Sequence, residues 1–241
     1  MNDSKDPRRG WQYRLPPAEI VNHHDFYCRL VKGKRVLHVG CADHLELIET
    51  KMGSGHYLHT KLAASAALLH GVDINRSAIE FLRGAKGIAD IFYCDVTADQ
   101  TPTELLASYD IVLMPEVIEH LPNVGQVLTG ARRFLAPEGR LVLGTPNSFK
   151  LHNTLTVLRG FEENNPDHKY YFSYVTLKSL LTELGFVVED WRIYIYGNPN
   201  RRYFKYGRRG LRALCKSICI NINPWFGDGI IAIARPGPGP A

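Results

Sequence analysis

The sequence predicts an α/β domain built on a parallel sheet with helices on both faces, and three observations predict it. Short apolar runs of the fully buried type recur at 34–40, 70–74, 88–96, 110–115 and 139–147. Helical segments opened by capping residues lie between them. Strand and helix alternate five times, which means crossover units rather than hairpins.

Taken in order, residues 1–15 read as a polar arm. Pro16-Pro17 opens an expected first helix running to about Lys32, with Ile20, Val21, Phe26, Tyr27 and Leu30 as its apolar side. KRVLHVG (34–40) is the first strand, followed by a helical segment near Leu45–Ile48, a glycine-bearing loop at 51–55 and an alanine-rich helix at 58–69. HGVDI (70–74) is the second strand, and Asn75 caps a helix that stops near Gly84. IADIFYCDV (88–96) is the third strand, and 102–107 suggests another short helix. Asn123 caps a helix whose apolar positions 124, 127, 128, 131, 134 and 135 follow the helical period. RLVLGTPN (140–147) runs straight from strand into turn. Thr176 is the expected cap of a helix ending at Gly185; FVVEDWRIYIY (186–196) and GIIAIA (229–234) then make an antiparallel pair at the sheet edge.

A chain of 241 residues with 45% hydrophobic and 22% charged residues is ordinary for one globular domain. No apolar run approaches the ~18 residues of a membrane span. The opening MNDSKDPRRG mixes both charge signs without an apolar segment, so no secretory signal is expected. Five cysteines, at 28, 41, 94, 215 and 219, form no CxxC pair and read as reduced thiols of a cytoplasmic protein.

The net charge of +5 is uneven. Arg201, Arg202, Lys205, Arg208, Arg209, Arg212 and Lys216 fall within 198–222 with no acidic residue among them. Removing those seven from the 29 basic residues leaves 22 against 24 acidic ones, so the remainder is near neutral. The insert has an amphipathic helical pattern from Arg208, with Leu211, Leu214, Cys215, Ile218 and Cys219 on one face. It reads as a lid, as a peripheral membrane contact through 201–219, or as a phosphate-backbone contact. The slightly acidic remainder argues against nucleic acid.

The chemistry concentrates in DIVLMPEVIEHLPN (110–123). If the chain turns helical after Pro115, Glu116, Glu119 and His120 share one face just past a central strand, where open α/β sheets bind ligands. The preceding strands end on Gly40-Cys41-Ala42-Asp43, on Asp73 and on Asp95. A glycine permits close approach of a ligand, Asp73 can accept ribose hydroxyls, and Asp95 can hold an adenine amino group. Singly each is a turn or cap residue; together they favour an adenosine ligand. The dinucleotide glycine pattern is missing, with Ala42 and Leu45 at its later positions, and no Walker lysine is present.

VLHVGCAD, GVDIN, the Asp95 strand end, DIVLMPEVIEHLPN and GRLVLGTPN together resemble the successive motifs of class I S-adenosylmethionine-dependent methyltransferases. The resemblance implies a Rossmann-like, seven-stranded, mostly parallel sheet with an antiparallel last strand, and S-adenosyl-L-methionine as cofactor. Carried over by position, Gly40, Cys41, Ala42 and Asp43 would face the methionyl part. Asp73 with Ile74 would bind the ribose, Asp95 with Val96 would flank the adenine, and Glu116 joins the cofactor site. Ala42 stands where members usually have a second glycine.

EVIEH followed by a DH pair is similar to quinone-pathway and glycan-cluster O-methyltransferases. It also resembles small-RNA 3′-end 2′-O-methyltransferases, in which two glutamates and two histidines hold a divalent metal. Glu116, Glu119, His120 and His168 match that set. A metal-free reading stands beside it, with His120, His168 or Glu119 as general base. His38 reads as a core or cofactor-shell residue, while His23, His24, His56, His59, His70 and His152 carry no separable signal.

The expected activity is O-methylation of a saccharide, lipid-linked or small-molecule hydroxyl. A metal-dependent RNA 2′-O-methyltransferase and a non-catalytic adenosine-ligand module are the alternatives. The expected organisation is an arm and helix over 1–33, the methyltransferase domain over 34–235 with the insert at 198–226, and a disordered tail over 236–241.

Overall fold

The computed structural model describes residues 11–105, 108–196 and 217–238. An eight-stranded sheet runs in the order β1-β7-β8-β6-β5-β2-β3-β4. Its members are β1 (Glu19–Val21), β2 (Arg35–Val39), β3 (Leu68–Asp73), β4 (Ile91–Tyr93), β5 (Tyr109–Pro115), β6 (Leu135–Pro146), β7 (Phe186–Tyr194) and β8 (Gly229–Pro236). All neighbours pair in parallel except β8, which is antiparallel to both β6 and β7. The chain builds outward from β2 through β3 to β4, then crosses to β5 on the other side of β2. That reversal creates a crevice between the carboxyl ends of β2 and β5.

Both faces of the central strands are buried, which is why they read as continuous apolar runs. Leu37, Val112, Met114, Leu141 and Leu143 pack with Leu128 of α5 (Val124–Arg132) and with Leu177 and Leu181 of α7 (Tyr174–Glu183). Their alternates Val36, Ile111, Leu113 and Val142 pack on the other side with Tyr27 of α1 (His23–Leu30) and Leu62 of α3 (Leu58–Ala63). Each such fully buried aliphatic side chain contributes about 1.5–3 kcal/mol. The caps follow the sequence at α4 (Arg76–Lys86), where Asn75 accepts from the Ala78 N–H at 3.1 Å, and at α5, where Asn123 accepts from Gln126 at 3.3 Å.

Several expectations are corrected. The first helix begins not at Pro16-Pro17 but at His23, capped by Asn22, because residues 19–21 are drawn into the sheet as β1 beside β7. This eighth strand lies beyond the seven expected. It places the predicted antiparallel pair inside the sheet, with β8 between β6 and β7. The segment near Leu45–Ile48 continues as α2 through Gly53, absorbing part of the expected loop. The alanine-rich helix ends at Ala63, since Leu68 and Leu69 join the second strand. Of the short helix expected over 102–107, residues 103–104 form a turn and 106–107 lie outside the described residues. The last long helix is capped by Ser173, with Thr176 returning a hydrogen bond to the Ser173 N–H. The basic stretch 201–216 lies outside the described residues, of which 217–222 are helical. No helix among the described residues is long and apolar enough to cross a membrane.

Candidate functional site

A cleft of about 1370 Å³ opens over the carboxyl ends of β2, β3, β5 and β6. All twelve residues singled out in the sequence line it: Gly40, Cys41, Ala42, Asp43, Asp73, Ile74, Asp95, Val96, Glu116, Glu119, His120 and His168. Cavities that hold drug-sized ligands span about 300–1,000 Å³, so a cofactor and a second substrate fit together.

Gly40 adopts φ +72°, and a Cβ there would lie 2.4 Å from Val117 Cγ2. Only glycine lets the β2 and β5 tips meet so closely. Asp73 stitches the next edge, its Oδ2 accepting from the Ala42 N–H at 3.0 Å and its Oδ1 from Asn75 at 2.9 Å. Burial pushes its carboxyl above the usual range, against those backbone donors. Asp43 pairs with Lys51 of α2. Asp95 takes both the Thr97 N–H (2.8 Å) and hydroxyl (2.7 Å) on Oδ1. Ile74 is 64% exposed beside Asp73, and Val96 is buried beside Asp95.

The β5 tip departs from the expected shared helical face. Glu116 follows Pro115 in the left-handed region (φ +53°), and Ile118–His120 is a single 3₁₀ turn. The reversed backbone directs the Glu116 carboxylate to two tyrosines, while its charge still acts on Glu119. The two Glu116 oxygens accept from Tyr194 and Tyr196, the latter at 2.7 Å. The four-residue set implied by resemblance is therefore three: ligand atoms of Glu119, His120 and His168 lie within 4.8 Å of one another, and Glu116 stands apart.

Glu119 is 1% exposed. Its Oε2 accepts from Thr145 Oγ1 at 3.0 Å, while Oε1 is buried without a hydrogen-bond partner among the described residues. Burial and then the nearby Glu116 charge push its carboxyl up to about 8. The rings of His120 and His168 meet edge to face at 4.6 Å. Burial lowers the basicity of both, so they are neutral near pH 7. The Glu119 carbonyl accepts from the Lys169 N–H at 2.7 Å, which pins the His168 loop to the turn.

Sequence reading missed one wall of the cleft. His23 and His24 of α1 line it, with His23 5.1 Å from the Tyr194 ring and 5.5 Å from the Tyr196 ring. No local pattern marked them, because a pairing between β1 and β7 brings them in. Tyr194 and Tyr196 were findable as i and i+2 at the end of a strand pointing to the ligand edge. His59 and His152 also line the cleft, hydrogen-bonded to His38 and Glu163. His38 is buried beside His59, as expected of a core or cofactor-shell residue.

The family model described as "Methyltransferase domain" matches residues 11–190. The chain belongs to the class I S-adenosylmethionine-dependent methyltransferases. Among curated relatives, this methyltransferase is 24% identical over 181 residues to the ubiquinone biosynthesis O-methyltransferase of Pseudomonas aeruginosa, covering 72% of each chain. It is also 24% identical over 201 residues to that of Neisseria meningitidis, covering 79% of this chain and 76% of the relative. Its fold is similar to a SAM-dependent methyltransferase from Archaeoglobus fulgidus (TM-score 0.54, 21% identity, 88% of this chain and 90% of the other). A TehB-like methyltransferase from Corynebacterium glutamicum gives TM-score 0.52 at 11% identity over 90% and 88%. The enzyme uses S-adenosylmethionine, and the non-catalytic alternative falls away.

Proposed function

We propose that this methyltransferase transfers a methyl group to a hydroxyl of a small-molecule, saccharide or lipid-linked acceptor. The observation that carries the reading is the Glu119–His120–His168 cluster, a buried carboxylate and two neutral imidazoles at the β5 tip of the cleft. A hydroxyl must lose its proton as it attacks, and a carboxyl pushed up to about 8 is a base for that proton once it ionises. The relatives named as O-methyltransferases point the same way.

The cleft suits the cofactor. Gly40 leaves room at the β2 tip, Asp73 and Asp95 offer carboxylate acceptors at the next two tips, and Ile74 and Val96 supply apolar contact. When bound, S-adenosylmethionine supplies an electrophilic methyl on a sulfonium whose carbon–sulfur electron pair stays on sulfur. Gly40–Asp43 and Asp73 would hold the donor, and the reaction requires the acceptor to approach its methyl in line. Glu119, held by Thr145, takes the hydroxyl proton, and His120 and His168 orient the acceptor oxygen. Transfer of label from methyl-labelled cofactor to hydroxyl acceptors, compared between the wild type and Glu119→Gln, tests the reading.

A second reading keeps the cluster as a divalent-cation site, favoured by a Glu119 oxygen within 4.8 Å of both imidazoles and by an Oε1 that is buried without a hydrogen-bond partner among the described residues. That donor set fits a borderline cation, which would acidify the hydroxyl by coordination. Metal content after purification and activity after chelation separate the two readings.

A further inference from the structure

Glu116 is a carboxylate in an unusual position. It is the first residue beyond β5, in a left-handed conformation that non-glycine residues adopt at a cost of about 1–3 kcal/mol unless the surroundings hold it. Here the surroundings do. Its N–H donates to Gly144 O at 2.8 Å, and both side-chain oxygens are held by phenol hydroxyls. The next residue, Val117, packs on Gly40 at the neighbouring strand tip. Glu116 is thereby fixed at the rim of the crevice between β2 and β5.

Among the described residues no lysine or arginine forms an ion pair with Glu116. Lys150, which also lines the cleft, acts on it only through space. A largely buried carboxylate given two neutral donors and, among the described residues, no cation in direct contact is incomplete as a structural device. It is complete as a receptor for a cationic ligand. The tyrosines satisfy the anion without neutralising it, and His23 packs behind them at 5.1–5.5 Å, supporting the clamp.

We infer that the Glu116 carboxylate, clamped by Tyr194 and Tyr196, receives the sulfonium of S-adenosylmethionine, so that the protein holds the cationic donor more tightly than the neutral thioether product. This rests on the proposed placement of the cofactor along Gly40, Asp73 and Asp95. The donor carries an α-ammonium as well as the sulfonium; the product keeps the ammonium and loses the sulfonium charge. Val117 packs on Gly40, so Glu116 stands beside the tip where the methionyl part is proposed to lie, and the product, which keeps the ammonium, tells the two charges apart. Loss of that charge on methyl transfer would weaken the pairing and ease product release.

The test is calorimetric titration of S-adenosylmethionine and of S-adenosylhomocysteine into the wild type, Glu116→Gln, Tyr196→Phe and Asp73→Ala. Glu116→Gln is expected to weaken donor binding by roughly 10- to 100-fold, the range of a hydrogen-bonded charge contact, and product binding by less than about 3-fold. Tyr196 is half exposed, so Tyr196→Phe keeps the fold and shifts the same ratio by a smaller factor if Glu116→Gln does not fold. Equal losses for both ligands would assign Glu116 to the ammonium or to scaffolding and overturn the inference, as would no loss for either. If Asp73→Ala leaves both affinities unchanged, the cofactor placement itself fails, a result distinct from failure of the sulfonium contact.

Discussion

Thr145 Oγ1 donates to Glu119 Oε2 at 3.0 Å across the tips of β6 and β5, and Oε1 has no hydrogen-bond partner among the described residues. A neighbouring strand thus aims the group that the proposed chemistry needs. Removing the carboxylate as Glu119→Gln is expected to lower kcat by about 10²–10⁴-fold, the usual worth of a general base, with little change in donor affinity. Thr145→Val takes away only the aiming bond and should cost less. Steady-state kinetics with calorimetry on the same samples would check both, and an unchanged kcat in Glu119→Gln would remove Glu119 from the reaction.

The pH dependence follows from burial. Glu119 is pushed up to about 8, so the basic form accumulates through that pH and kcat should rise with it. The sign for stability is opposite. A carboxyl whose folded pKa lies above its unfolded value of about 4.3 favours folding fully below that value, and the contribution fades as pH rises through about 8. Thermal melts from pH 5 to 9 should show an alkaline loss that is smaller in Glu119→Gln.

His23 and His24 act at the other end of the scale. Burial lowers both to about 4, so the unfolded chain binds protons first and stability falls as pH drops from about 6.5 towards about 4. Tyrosine fluorescence or hydrogen exchange in α1 is expected to report loosening of this cleft wall over that window. Glutamine at both positions should suppress it.

With Asp73 as the proposed ribose contact, Asp73→Ala is expected to weaken cofactor binding by roughly 10- to 100-fold, a hydrogen bond to a charged group being worth about 1.5–3 kcal/mol. Calorimetry with S-adenosylhomocysteine measures it without an acceptor.

Gly40→Ala meets two obstacles, a positive φ and Val117 Cγ2 at 2.4 Å from the new Cβ. About 1–3 kcal/mol of stability should be lost from the backbone term alone. In the double variant with Val117→Ala the steric part is relieved and the conformational part remains. Urea unfolding of the single and double variants separates them.

The parallel sheet, the antiparallel β8 and the acids at successive strand ends were legible because buried strands carry unbroken apolar runs that stop at polar tips. Asn75 and Asn123 were legible as caps for the same local reason. What was not legible depended on distant pairing or on reversed backbone. β1 forms only by lying beside β7, about 170 residues later, so its residues read locally as helix. Glu116 shares a helical face with Glu119 on paper, and the left-handed turn after Pro115 sends it to Tyr194 and Tyr196 instead. Thr176 looked like a cap because the reciprocal bond with Ser173 makes either residue plausible from sequence.

The central claim is that Glu119 removes the proton of an acceptor hydroxyl as it is methylated. It is tested most directly by incubating wild-type protein and Glu119→Gln with methyl-labelled S-adenosylmethionine and a panel of hydroxyl, amine and thiol acceptors. Label is expected in base-stable methyl ethers from the wild type and at least about a hundredfold less from the variant. Label carried on nitrogen or sulfur, or equal ether formation by both proteins, would contradict it.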